Sequence, residues 1–344
     1  MNIKAVAAKA GVSIATVSRT INGHASVTPE TAENVLRAIR ALGYYPNRQA
    51  RTLASGRSHT FGLIISDIAN PFFPELVKSF ETTALSHNYD VTVFNTSYDS
   101  HRLRTSIERM LERRVDGVAV MTSEFDRRVL GELSRRGVPI VFLDVGTVQS
   151  RISNILVDYE KGIREAVQHV SELGHQKIAF ISGPLQLKSA GIRWRAMQKC
   201  MHDCGLQIPS RFMREANHRV DGGQIAMADL LNQKDPPTAV LASNDLTAIG
   251  AMKAIYRKGL RVPDDLSIIG FDDIELCEFM NPPLTTVRLS REEIGRHACG
   301  ALLKVVEEGE IQGQELSVST ELVLRGSTAP LETRKKSKRT APNQ

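Results

Sequence analysis

The sequence predicts a small α-helical head followed by a body of two doubly wound α/β lobes. Three observations carry this expectation. The first sixty residues hold eight basic side chains (Lys4, Lys9, Arg19, Arg37, Arg40, Arg48, Arg51 and Arg57) against Glu30 and Glu33, whereas the other 284 residues balance at 36 basic and 36 acidic. Within that basic block the apolar residues recur at helical spacing in three short runs. From residue 61 onward, short β-rich runs alternate with longer helical patterns. Concentrated positive charge on a neutral body points to a polyanion-binding head on a carrier.

The head reads element by element. Residues 3–10 place Ile3, Val6, Ala7 and Ala10 on one helical face, and Gly11 ends that helix. Ser13 stands at an N-cap position for a second helix, Ile14 to Ile21, with Val17 and Ile21 inward at i, i+4. Asn22-Gly23 breaks it. Thr28, Pro29 and Glu30 open a third helix as N-cap, first helical residue and dipole partner. Its expected apolar stripe is Ala32, Val35, Leu36, Ile39 and Leu42, closed by Gly43. Two short helices joined by a glycine-containing turn and braced by a third make a helix-turn-helix, whose second helix enters a DNA major groove.

On that second helix Ile14, Ala15, Thr16, Ser18 and Arg19 are the outward or N-terminal positions, preceded by Ser13. Arg19 suits bidentate pairing with guanine, and Ile14 with Ala15 offers apolar contact to a thymine methyl. Asn22 and Ser26 are placed for phosphates, which set register. An ordinary three-helix bundle with a solvated basic face would share part of this pattern. Residues 44–58 (YYPNRQARTLASGRS) contain one large apolar side chain after Pro46, Leu53, flanked by Arg48, Arg51 and Arg57. Read alone, this stretch fits equally a minor-groove wedge on a marginal helix and a linker whose leucine packs on the next domain.

In the body, FGLIIS precedes a helix near 72–87, YDVTVFN one near 101–113, DGVAVM one near 126–136, and PIVFLD follows. The pattern restarts with a helix near 159–173, then KIAFIS, a helix near 189–204, a strand near 211–216, a helix near 222–232, TAVLAS, a helix near 245–258 and LSIIGFD. Repetition of βαβ units means parallel sheets covered by helices on both faces. Ligands of such sheets bind beyond the carboxyl ends of strands. That rule selects Asp67, Asn70, Phe72, Phe73, Ser123, Asp144, Asn244, Asp245, Asp272 and Asp273, together with Arg193. Aromatic faces, amides, one arginine and carboxylates suit a polyhydroxylated ligand. Asp and Asn at strand–helix junctions also serve as caps and turn residues, the expected role of Asp67, Asp245 and Asp273; Asp272 and Arg193 are expected to touch ligand.

Composition excludes several classes. No run approaches eighteen apolar residues, so no membrane span is expected, and the N-terminus lacks the apolar core of a signal peptide. Cys200, Cys204, Cys277 and Cys299 show neither a disulfide framework nor a zinc spacing, so reduced thiols in a cytoplasmic protein with no metal or cofactor are expected. No nucleophile elbow, P-loop or zinc motif points to an enzyme. Residues 61–330 carry 31 basic and 35 acidic side chains, which predicts a body that binds DNA poorly. Residues 331–344 form a basic tail without heptads, expected to be disordered.

Ala5-Val6-Ala7, Ala10-Gly11-Val12-Ser13, Thr16-Val17-Ser18-Arg19, Asn22-Gly23, Gly43-Tyr44, Pro46-Asn47 and Ala50-Arg51-x-Leu53 together resemble the lactose-repressor/galactose-repressor (LacI/GalR) family of transcriptional regulators, and the resemblance runs to about Pro330. It implies a dimer reading a pseudo-palindromic double-stranded operator, with Asn47, Ala50 and Leu53 in a hinge that folds on DNA. Leu53 matches the leucine that opens the central base step. It also implies a periplasmic-binding-protein-like body with Asn70-Pro-Phe-Phe73, Arg193 and Gly270-Phe-Asp-Asp273 near the effector. His218 falls where relatives often carry Trp or Phe, which weakens purine stacking, and Ala196-Met197 replaces the usual Gly-Phe after Arg193.

The expected domains are a head at 1–45, a hinge at 46–58 and a two-lobed effector-binding and dimerisation body at 59–330. Lobe 1 takes about 59–157 plus 290–318, and lobe 2 about 158–287 plus 319–330. The expected function is a sequence-specific repressor, homodimeric, with a sugar effector bound by Asn70, Phe72, Phe73, Ser123, Asp144, Arg193, His218, Asn244 and Asp272. A nucleobase or nucleoside corepressor is the first alternative. A sugar-binding transport protein, which the body alone fits, is the second.

Overall fold

The computed structural model describes residues 2–21, 24–45, 56–122, 127–309 and 311–331, with only the backbone of 127–130. The chain divides into two units, Met1–His59 and Thr60–Gln344. In the first, helix α1 spans Ile3–Ala10; the Asn2 side chain accepts from the Ala5 N–H, and Gly11 ends the helix at φ 67°. Helix α2 spans Ile14–Ile21, with the Ser13 hydroxyl accepting from the Thr16 N–H at 3.1 Å. Helix α3 spans Pro29–Leu42, capped by Thr28 and ended by Gly43 at φ 56°. These caps follow the chemistry that orphan N–H and C=O groups demand.

The head core is Val6, Ala7, Ala10, Val17, Val35 and Ala38, with Ile3, Ile21, Ile39 and Leu42 packed against it. One expectation fails here. Leu36 is 43% exposed, and Ala38 takes the inward place. Val35, Ala38, Ile39 and Leu42 follow an i, i+3, i+4, i+7 stripe, and Leu36 lies 100° away from Val35 around the helix.

The body builds from β1 (Thr60–Ile65), α4 (Phe72–Ser86), β2 (Asp90–Asn95), α5 (Ser100–Glu112), β3 (Gly117–Met121), α6 (Arg127–Arg135), β4 (Ile140–Leu143) and β5 (Ile152–Asp158). Then come α7 (Tyr159–Glu172), β6 (Ile178–Ser182), α8 (Lys188–Asp203), a 3-10 turn at Ser210–Phe212, β7 (Met213–Glu215), α9 (Val220–Leu231), β8 (Ala239–Ala242), α10 (Asp245–Arg257) and β9 (Ser267–Asp272). The last elements are α11 (Leu276–Phe279), β10 (Thr286–Leu289), α12 (Arg291–Glu307) and β11 (Glu315–Val323).

The strand order β2-β1-β3-β4-β5-β11-β10-β9-β8-β6-β7 divides into two halves that meet on β11. Residues Glu315 to Ser319 of that strand pair in parallel with β5, and Thr320 to Val323 pair antiparallel with β10. The chain therefore changes half at the β5–α7 junction, at the β10–α12 junction and within β11. At this crossing Gly162 of α7 donates its N–H to Thr320 Oγ1 at 2.9 Å. A Cβ there would stand 2.3 Å from Val287 Cγ1, so only glycine lets the helix approach the crossing strands. All other described pairings between strands of the body are parallel. The inner parallel strands β1, β3, β4, β6, β8 and β9 are buried in near-continuous runs, as both-sided coverage requires, whereas the edge strands β2 and β7 are not.

Candidate functional site

Two regions carry functional chemistry. In the head, Val17 is fully buried, which turns Ala15 and Arg19 to solvent and leaves Thr16 and Ser18 half-buried. Ile14 is 43% exposed, which leaves its apolar side chain open to a partner. Ser13 is exposed, and its hydroxyl lies 2.9 Å from that of Thr16 while capping α2. Ser26 lies exposed before α3, its hydroxyl 2.9 Å from His24 Nδ1. The α2 surface thus presents a short apolar and arginine face suited to base edges. Asn22, Asn47, Ala50 and Leu53 lie outside the described residues.

In the body, the carboxyl ends of the strands converge on a narrow cleft, the place where open parallel sheets take their ligands. Asn70, Phe72, Phe73, Asp144, Arg193, His218, Asn244 and Asp272 all line it; Ser123 lies outside the described residues. The aromatic wall is a T-shaped pair, Phe72 and Phe73, with ring centroids 5.2 Å apart. Asn70 shapes the entry to α4, its Oδ1 accepting from the Phe72 N–H at 3.1 Å.

Among the described residues, Arg193 is the only arginine or lysine lining this cleft. Its guanidinium lies 4.9 Å from the Tyr159 ring centroid and 4.5 Å from that of Phe271. Two aromatic faces thus fix its plane. It donates to the Ser243 carbonyl, and its Nε finds no partner among the described residues. Tyr159 is a site residue that the sequence did not reveal. Its hydroxyl donates to Asp144 Oδ2 at 2.5 Å, while Asp144 Oδ1 accepts from the Val157 N–H at 2.9 Å. Asp144 lines the cleft, but its strong hydrogen bonds position Tyr159 and through it Arg193.

Asp272 differs from Asp144. Its carboxylate stands 3.8 Å from Arg193 Nη2, beyond hydrogen-bond reach, and no N–H or O–H of the described residues donates to it. Burial pushes this carboxyl up to about 7, against the pull of Arg193. Its backbone is held at φ 115°, with Arg291 donating to its carbonyl and to that of Asp273. The cleft therefore offers an unmet carboxyl and an incompletely met guanidinium side by side.

His218 is buried in the left-handed region at φ 60°, its Nδ1 3.4 Å from Ser243 Oγ. Burial, then the nearby Arg193 charge, push it down to about 3, so the ring is neutral at ordinary pH. Gly183 makes room for it: a Cβ there would stand 1.9 Å from His218 Nε2. Asn244 holds the backbone beneath it. Its Nδ2 donates to the His218 carbonyl at 3.0 Å, and its Oδ1 caps α10 by accepting from the Thr247 N–H at 2.9 Å. The polar atoms of Asn244 are thus engaged by the protein itself.

The neighbouring carboxylates are engaged as well. Asp67 accepts from the Ala69 N–H and pairs with Arg219 at 2.8 Å, tying the first half to the second beside the cleft. Asp245 is fully buried, accepting from Thr286 Oγ1 and the Ile274 N–H, and burial pushes it up to about 6. Asp273 pairs with Arg288 and Arg325, each at 2.7 Å.

A helix-turn-helix head on a two-halved α/β body with a polar cleft defines a ligand-binding DNA regulator, and the comparisons agree. Residues 2–47 match the family described as bacterial regulatory proteins, lacI family, and residues 167–328 match the periplasmic binding protein-like domain. The chain belongs to the lacI family and is a DNA-binding transcriptional repressor, a regulator and not an enzyme. It is 33% identical over 329 residues to the HTH-type transcriptional repressor CytR of Escherichia coli (strain K12), covering 96% of each chain. It is 36% identical over 330 residues to the repressor PurR of Haemophilus influenzae (strain PittEE), covering 94% of this chain and 98% of that one. Among solved structures, the Lac repressor dimer bound to operator and the anti-inducer ONPF superposes with a TM-score of 0.86 at 31% identity, over 96% of this chain and 99% of that one. A CelR–cellobiose complex superposes with a TM-score of 0.72 at 28% identity, over 95% and 99%.

Proposed function

We propose that this repressor binds a pseudo-palindromic operator as a homodimer in the cytoplasm, under the control of a sugar held in the body cleft. The observation that carries the ligand class is Asp272, a buried carboxyl with no protein donor, beside an arginine with an unmet N–H. A buried polar group left unmet is costly, and a ligand with adjacent hydroxyls relieves both at once. Hydroxyl groups accept from Arg193 and donate to Asp272, while the Phe72–Phe73 wall takes the C–H faces of a ring. His218 in place of a large flat aromatic disfavours a stacked purine. The Lac repressor and CelR structures, one with ONPF and one with cellobiose, add support by likeness.

The homodimer is supported by apolar side chains that the body leaves in water, Leu85 at 55% and Phe279 at 75% exposure. The edge strand β2, whose Val93 is 39% exposed, adds to them. Effector in the cleft changes closure of the two lobes. That sets whether the two hinges fold on DNA with Leu53 as the minor-groove wedge. Coupling of this kind requires unequal effector affinity for the DNA-competent and DNA-incompetent states. The test is selection of duplex sites from a random pool at fixed moderate salt, followed by titration of the selected duplex with panels of sugars and of nucleosides. A palindrome centred on an easily opened step, with a response to a sugar, is expected. A response to nucleosides alone overturns the ligand class, and a site without two-fold symmetry overturns the dimer.

A further inference from the structure

The body's balanced charge conceals a local imbalance. Ten arginines and no lysine lie between Arg102 and Arg151. Four of the exposed ones, Arg114, Arg135, Arg136 and Arg151, lie at the end of α6 or in the turns that lead into β3, β4 and β5. Those strands are neighbours and run in parallel. The four arginines therefore share one edge of the sheet, the edge of strand starts. The Arg151 guanidinium donates to the Gly137 carbonyl at 3.3 Å, which places it against the end of α6 beside Arg135 and Arg136. The acids along this edge are Glu132, paired with Arg136 at 3.3 Å, Asp116 before β3, Asp90 at the start of β2, Glu112 at the end of α5 and Glu315 at the start of β11. The cleft lies at the opposite edge, so these arginines have no part in the ligand site.

Backbone geometry marks two of the four. In the body, seven helices end in a turn whose second residue is left-handed. Six of these residues are Asn88, Gly137, Gly174, Gly205, Gly259 and Gly309, the types that adopt this conformation cheaply. The seventh is Arg114, at φ 52°. Arg151 is likewise left-handed at φ 59°. At Arg114 the side chain adds no bond to the fold, and at Arg151 it adds one, to the Gly137 carbonyl. The Arg114 N–H donates to the Leu111 carbonyl at 3.1 Å, but its guanidinium forms no ion pair or hydrogen bond with the described residues. Strained residues that the fold does not need point to function.

The same edge receives the chain from the DNA-reading head, because β1 begins there at Thr60, whose carbonyl accepts from the Asp116 N–H at 2.9 Å. Arginine, with its planar fork of donors, suits phosphate oxygens. We propose that Arg114, Arg135, Arg136 and Arg151 form a second DNA contact, one that grips phosphates of duplex flanking the sequence that the head reads. This refines the expectation from net charge: the body as a whole is no DNA binder, but this rim is.

The experiment uses the full-length protein and two duplexes, one limited to the selected site and one extended by about two helical turns on each side. The slope of log affinity against log salt reads the number of phosphates held, about 0.9 per contact. In an Arg114→Asn/Arg151→Asn variant the slope on the long duplex falls by about 4, and with Arg135→Gln/Arg136→Gln added in a second by about 7, because the dimer carries each change twice. The slope on the short duplex stays unchanged. Because asparagine tolerates the left-handed turn, the Arg114→Asn/Arg151→Asn protein melts no lower than the parent. The head variant Arg19→Ala serves as a contrast, losing site preference on both duplexes while keeping the extra slope of the long one. Equal slopes for parent and variants on the long duplex overturn the proposal and leave this face to an acidic protein. A fall of the same size on both duplexes overturns it too, because the loss then belongs to the head.

Discussion

Replacing His218 by asparagine should remove a defined part of the protein's acid sensitivity. The ring is buried and held down to about 3, against an ordinary value of 6.5. The unfolded chain therefore takes up a proton that the folded chain refuses. Stability contributed by the neutral ring is complete above 6.5 and is lost as pH falls toward 3. Each pH unit below 6.5 costs about 1.4 kcal/mol, so going from pH 7.5 to pH 5 costs about 2 kcal/mol. His218→Asn keeps a residue that accepts the left-handed backbone at φ 60° and abolishes the titration. Urea unfolding at the two pH values, followed through Trp194, the single tryptophan, gives the free energies; carboxylates that titrate in both proteins cancel in the difference. The parent should lose about 2 kcal/mol more than the variant. Equal losses would refute the reasoning, because they would mean that the ring is solvated or already charged in the native state.

Gly183→Ala should drive the His218 ring from its place, since the new Cβ would stand 1.9 Å from Nε2; calorimetric effector affinity should fall at least tenfold while the head's operator binding persists. Asp272→Asn should separate stability from function. Burial raises this carboxyl to about 7, so its stabilising effect is present at low pH and lost as pH rises through that value. The variant should melt higher than the parent at pH 8, lose that advantage by pH 3.5, and fail to respond to effector. Arg19→Ala should lose about 1–3 kcal/mol of discrimination at one base pair of each half-site, read as relaxed preference in a repeated site selection.

Much of this was legible in the residues because it rests on local rules. Ser13, Thr28, Gly11 and Gly43 marked the head's helix ends, and hydrophobic period placed Val17 and Val35. Alternation of strand and helix revealed most of the body up to β9. The elements that sequence reading passed over are β5, α11, β10, α12 and β11, and for all but the single-turn α11 the reason is topological. The others belong to the crossings between halves, where strand no longer alternates regularly with helix, and β11 pairs on one side early and on the other side late. Tyr159 was missed for the same reason, since it follows β5. Of the cleft residues, Arg193 and Asp272 followed from the rule that ligands meet strand ends. That rule does not distinguish an amide open to ligand from one engaged in capping, as in Asn244. Leu36 went wrong because a stripe of large apolar residues looks continuous in sequence even when a neighbouring alanine is the one that faces inward.

The most direct test of the central claim follows the anisotropy of a labelled selected operator while sugar effector is added to the parent, to Arg193→Ala and to Asp272→Asn. The account predicts that effector changes operator affinity at least tenfold in the parent and leaves both variants at their effector-free affinity. An undiminished response in either variant would contradict it and place control of DNA binding outside this cleft.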